Sequence, residues 1–187
     1  MLYISKGMVM KQSTKQELCV THCGVDYMLT GIGSELWLKG RFEIGESADE
    51  RQDKHLKELE RLGLAETSVE TGPLAAYRVL TRCIICPAEL KPVRRPLTAM
   101  ENKAWLWIKE AGLRLTIGEM TKLFTDEIEP VSELLGHDNA QDLTLQIYQG
   151  DLMFDTTPDI EMEKSPKRDD VVTAVLGLLK KKRILLI

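Results

Sequence analysis

The stretch Gly24-Val25-Asp26-Tyr27-Met28-Leu29-Thr30 runs into Gly33-Ser34-Glu35-Leu36-Trp37-Leu38, and Leu56, Leu59, Leu62, Gly63 and Leu64 follow. An extended segment carrying a tyrosine and a leucine feeds a short helix that carries a tryptophan. A longer amphipathic helix comes next, and a glycine closes it. That order predicts a small winged-helix-like recognition domain of α+β class.

Working outward, GMVMKQ at 7–12 and the run from 16 to 30 read as two strands of a hairpin, with Ser13-Thr14-Lys15 between them. The Trp helix occupies 33–40, turns Leu36 and Trp37 inward and stops at Gly40. Ser47 with Glu50 reads as a capping box for a helix over 48–62 that buries Leu56, Leu59 and Leu62. Gly63 stands where a left-handed cap is wanted. Residues 64–70 and 75–86 alternate around Thr71-Gly72-Pro73 and predict a wing-like hairpin.

Pro87 to Pro96, PAELKPVRRP, holds three prolines in ten residues and reads as a linker. The expected organisation is two small winged-helix-like domains in tandem: 1–86 with its hairpin, a linker over 87–97, and a mainly helical 98–187. In the second half, Thr98 with Glu101 opens a helix over 99–111, and Thr116 with Glu119 opens 117–124. Pro130 fits the first turn of 130–135, and Asp138 with Gln141 opens 139–149. Residues 150–168 read as a loop or arm. A last helix spans 168–182, and Ile184 to Ile187 reads as a strand.

The chain has 187 residues, 43% hydrophobic and 29% charged, which is ordinary for a globular protein. No apolar run reaches the ~18 residues of a membrane span. The first ten residues lack the pattern of a signal peptide, so the expected location is the cytoplasm. Net charge is −4, unevenly spread. Residues 1–98 hold 14 Lys/Arg and 13 Asp/Glu, and residues 99–187 hold 11 and 16. Phosphate neutralisation needs clustered cations, and the C-terminal half is poorly built for it.

The pair 117–124 and 130–135 has helix-turn-helix dimensions, but its stretch from 123 to 163 has no Lys or Arg. Carboxylates there would repel DNA, so the pair reads as structural or protein-binding. Helix 48–62 is the better DNA candidate, with Arg51, Lys54, His55, Lys57 and Arg61. Ion pairs such as Asp53–Lys57 and Glu50–Lys54 explain the same face without a ligand. Lys180 to Arg183 complement a helix dipole.

The cysteines form two pairs, Cys19 with Cys23 and Cys83 with Cys86. All four would suit zinc, with His22 as a substitute ligand. Strand alternation turns Cys83 and Cys86 to opposite faces, and Ile84-Ile85 are poor turn residues. The expectation is therefore no metal and no cofactor, with zinc on Cys19, Cys23, Cys83 and Cys86 as the alternative. No nucleophile elbow, zincin helix or phosphate loop occurs, which points to binding rather than catalysis.

From Lys6 to Glu66 the chain resembles the peptide-chaperone family of pyrroloquinoline quinone biosynthesis, which also covers precursor-recognition domains of bacterial peptide-modifying enzymes. The resemblance rests on Tyr27-x-Leu29-x-x-x-Gly33-x-x-x-Trp37 and on Leu56-x-x-Leu59-x-x-x-Gly63-Leu64. It covers a third of the chain. It implies a non-catalytic module that adds a peptide strand to the edge of the hairpin and clamps it with the last helix. Carried over, the peptide-binding residues are Glu17, Cys19 and Thr21 on the edge, facing Arg51, Lys54 and His55. The partner is then a peptide or protein. DNA bound by a winged-helix transcriptional regulator is the alternative.

Overall fold

The computed structural model describes residues 1–10, 17–135, 140 and 158–187. The expected helix over 139–149 and most of the 150–168 arm lie outside the described residues. The protein is α+β, with short antiparallel sheets and helices. The described chain divides into two compact units, 1–83 with 185–187, and 84–184. Among the described residues no helix is long and apolar enough to cross a membrane.

The first unit holds two three-stranded sheets. Strand β1 (Leu2–Ser5) is the centre of one, flanked by β5 (Gly45–Glu46) and β6 (Ala65–Ser68). Its Tyr3 and Ile4 are fully buried. The other sheet is β2 (Met8–Val9), β3 (Glu17–His22) and β4 (Val25–Thr30), in that order. The run read as one strand from 16 to 30 is thus a hairpin, β3 and β4, folded at Cys23-Gly24. Both turn residues take positive φ, 49° and 78°, as a tight two-residue hairpin turn requires. Gly7, at φ 98°, lets the chain pass so close to Thr21 that a Cβ would sit 2.7 Å from the Thr21 carbonyl oxygen.

Helices α1 (Gly31–Lys39) and α2 (Glu50–Arg61) cover the inner face of the hairpin. Leu18, Val20 and Leu29 meet Leu36, Trp37, Leu56 and Leu59 there, with Tyr27 packed alongside. The Trp37 indole N–H donates to the Lys6 carbonyl at 3.0 Å. The cap of α2 differs from expectation. Ser47 Oγ receives the Met1 ammonium at 2.8 Å, and Asp49 caps the helix by accepting from the Gln52 N–H at 2.8 Å. Gly63 closes it at φ 74°.

The expected wing hairpin does not form. Strand β6 pairs with β1, and residues 73–80 are a helix, α3 (Pro73–Leu80). The Gly72-Pro73 pair, which reads as a turn, instead places proline at the first helical position, where its missing N–H costs nothing. Ala75, Tyr77, Val79 and Leu80 are then buried, and Arg78 is left exposed.

The second unit begins with β7 (Ile85–Pro87), where Ile85 bridges Leu115. The segment read as a linker, 87–97, is irregular but belongs to this unit. Its Ala88 and Val93 N–H groups donate to the Arg183 and Lys181 carbonyls. Helices α4 (Ala99–Lys109) and α5 (Ile117–Thr125) both start with complete capping boxes, Thr98/Glu101 and Thr116/Glu119. After α5 the helix-turn-helix expectation fails. Glu127 takes a positive φ of 53°, and residues 132–134 make only a turn instead of a helix over 130–135. Residues 131–133 are exposed and Leu134 and Leu135 only half-buried, so the apolar positions of that segment gain little burial to hold a second helix. From residue 158 onward come α6 (Pro158–Glu161), a short 3-10 turn over Met162–Lys164, and α7 (Arg168–Lys180). Helix α7 packs Val171, Val175, Leu178 and Leu179 into the core. The last strand, β8 (Ile184–Leu186), leads back to the first unit, where Leu186 accepts from the Gly7 N–H.

Candidate functional site

The hairpin sheet positions the candidate site. Strand β3 pairs along its whole length with β4, from Glu17↔Thr30 to His22↔Val25. On its other side Thr21 and Val20 pair with Met8 and Val9, and Met10 donates to the Cys19 carbonyl. Strand β3 is therefore the centre of the sheet, not its edge. Among the described residues β4 pairs only with β3, and the sheet order makes it an edge strand. Sequence reasoning placed the edge one strand too early because it read 16–30 as a single strand.

Alternation divides the sheet into two faces. Val9, Leu18, Val20, Tyr27 and Leu29 face the core. Met8, Met10, Glu17, Cys19, Thr21, Asp26 and Met28 fall on the outer face by register. There the Thr21 hydroxyl donates to the Asp26 carboxylate. Met8 and Met28 are 45% and 57% exposed, and Val25 at the strand end is also open.

Arg51, Lys54 and His55 are exposed on α2, whose Leu56 and Leu59 pack on the inner face. The structure therefore keeps these three on the far side of the core from Cys19 and Thr21, and the two halves of the expected peptide site do not meet. The expected Asp53–Lys57 and Glu50–Lys54 ion pairs are not formed among the described residues. Instead Arg61 pairs with Glu58 at 2.6 Å.

The four cysteines are not gathered. Cys19 is buried in β3 and Cys23 is exposed in the turn. Cys83 is buried after α3, and Cys86 lies in β7 of the second unit. Among the described residues no three His, Cys, Asp or Glu side chains could hold a metal ion together. Burial pushes the Cys83 thiol up to about 12. Burial also raises Cys86, against a hydrogen bond with Arg114 that lowers it. His22 Nε2 lies 3.5 Å from the Cys23 sulfur, and among the described residues its buried Nδ1 has no hydrogen-bond partner. Burial first, then the Lys6 ammonium, holds the His22 pKa below its ordinary value.

The second unit carries a separate cleft of about 820 Å³ between α4, α5 and the turn after it, lined by Met100, Lys103, Leu106, Phe124, Pro130 and Val131. Lys103 is spent within it, 2.6 Å from Glu129 and 5.0 Å from the Phe124 ring centre.

The chain matches no protein-family model, and no curated protein or solved structure is detectably similar to it.

Proposed function

We propose that this protein is a non-catalytic recognition module that binds a peptide or partner protein by strand addition. The observation that carries the proposal is β4, an edge strand whose exposed Val25 and Met28 flank main-chain groups directed away from β3. An extended peptide laid along such an edge gains main-chain hydrogen bonds, and alternate side chains supply selectivity. Edge strands left open are otherwise blunted by lysine, proline or bulges, and β4 contains none of these between Val25 and Thr30.

The resemblance to peptide chaperones supports the same mode and a cytoplasmic, bacterial peptide-maturation setting. The winged-helix comparison belongs to this reading too. Its support in the first unit is the α1–α2 pair laid against paired strands, and in the second the capped helices α4 and α5. The cations Arg51, Lys54 and Lys57, exposed on α2, favour DNA binding as the second reading.

The test starts from 12-residue peptides selected by display against the full-length chain. The selected peptides should perturb and protect the amides of residues 25–30, and Met28→Lys should weaken them at least about tenfold by setting a charge on the edge. Tight binding of random-sequence DNA at low salt, with a steep salt slope and no effect of Met28→Lys, would overturn the proposal in favour of the regulator.

A further inference from the structure

The outer face of the hairpin sheet is unusual in one chemical respect: it concentrates sulfur. Met10 donates its N–H to the Cys19 carbonyl, and Cys19 pairs with Met28. Met10, one residue past the end of β2, Cys19 in β3 and Met28 in β4 thus form one cross-strand row. Met8 in β2, opposite Thr21, stands two residues before Met10 on the same face. Directly opposed residues have Cβ atoms about 4.5–5.5 Å apart, and diagonal ones remain within reach of long side chains. None of the four sulfurs belongs to the hydrophobic core cluster beneath the sheet. Methionines filling a core would be buried, yet Met28 and Met8 are more than two-fifths exposed, while the Cys19 thiol between them is covered.

We propose that Met10, Cys19 and Met28, with Met8 beside them, form a Cu(I) site on the outer face of this sheet. Thioether and thiolate ligands are soft and select Cu(I) over the hard and borderline divalent ions. The set contains no histidine or carboxylate. Methionine has three rotatable bonds and a polarizable sulfur, so Met10 and Met28 can close on the central cysteine from either side without moving the backbone. The β3–β4 ladder and the Met10 N–H bond to the Cys19 carbonyl hold the row, which fixes the backbone spacing before metal arrives. When the copper–sulfur bond to Cys19 forms, the thiol proton passes to solvent, so affinity falls with falling pH. The copper remains Cu(I) throughout, and no oxidant is required.

The copper site shares Met28 with the peptide-binding edge but does not depend on that reading, and it is tested without a peptide. The full-length chain is titrated anaerobically with Cu(I) in competition with bicinchoninate. The expected result is one Cu(I) per chain, with a thiolate-to-copper absorption band. Met10→Leu and Met28→Leu should each weaken binding about tenfold or more while leaving the near-ultraviolet circular dichroism unchanged, because leucine keeps the apolar volume and removes the sulfur. Cys23→Ser, which removes the exposed thiol nearby, should leave binding intact. Affinity unchanged in both leucine variants would overturn the assignment and leave an apolar face. So would binding that disappears with Cys23→Ser, equal affinity for Zn(II), or no competition with bicinchoninate at all.

Discussion

The Lys6 ammonium sits 2.7 Å from a Glu66 carboxylate oxygen, and both side chains are only about a tenth exposed, 10% and 11%. Sixty residues separate the two in sequence. Lys6 leaves β1 and Glu66 lies in β6, its partner strand, so the pair ties the start of the chain to the strand that follows α2. Arg82 reaches the other Glu66 oxygen only at 4.0 Å and from a largely exposed position.

Removing one partner should therefore cost more than the pair contributes. Lys6→Met leaves a buried carboxylate poorly compensated and should destabilise the first unit by about 3–5 kcal/mol. The double variant Lys6→Met/Glu66→Leu should recover most of that loss. Urea unfolding followed by tryptophan fluorescence reads both, and a double variant as unstable as the single one would contradict the argument.

In the second unit, Gly177 on α7 faces Glu101 on α4 so closely that a methyl group would strike the Glu101 carboxylate, which is itself ion-paired with Lys181. Alanine is favoured over glycine in a helix by about 1 kcal/mol. Overpacking costs about 1–3 kcal/mol. Gly177→Ala should consequently lower the thermal midpoint, and adding Glu101→Ala should relieve the clash while forfeiting the ion pair. A Gly177→Ala protein more stable than the parent would show that Glu101 moves aside.

The cysteines should separate by reactivity. The thiolate is the nucleophile, and Cys83 is both buried and pushed up to about 12. Iodoacetamide applied to the native chain should label the exposed Cys23 first and leave Cys83 unmodified, whereas the unfolded chain should take label at all four positions. Peptide mass mapping decides it, and early modification of Cys83 would mean that the loop after α3 opens.

His22 should make the first unit less stable in mild acid. Its native pKa is held below the ordinary 6.5 by burial and by Lys6. As pH falls through 6.5, the unfolded chain binds a proton that the native chain refuses, so unfolding becomes easier until the lowered native pKa is passed. The urea midpoint should drop from about pH 7 to about pH 5, and His22→Asn should flatten part of that slope. An NMR titration in which the His22 ring protonates at or above 6.5 would remove the basis for it.

Much of the local structure was legible in the residues. Thr98/Glu101 and Thr116/Glu119 announce helix starts, and Gly63 announces a stop. Trp37, Leu56 and Leu59 were recognisable as core, because caps and helical periodicity are set by neighbours three or four positions apart. The strand roles were not legible. That Leu2–Ser5 is the centre of a sheet, that β3 is flanked on both sides, and that Gly72-Pro73 opens a helix were all decided by partners far along the chain. The same holds for the site. Met8, Met10 and Met28 are visible as residues, and the alternation in GMVM signals a strand. Their meeting on one face with Cys19 depends on a register that only the folded ladder sets. Local sequence specifies which segments become helix or strand, since those choices rest on short-range hydrogen bonds and side-chain spacing. Which strand is left as an edge, and which side chains converge, follows from burial of apolar surface between distant segments, and no window of sequence contains that information.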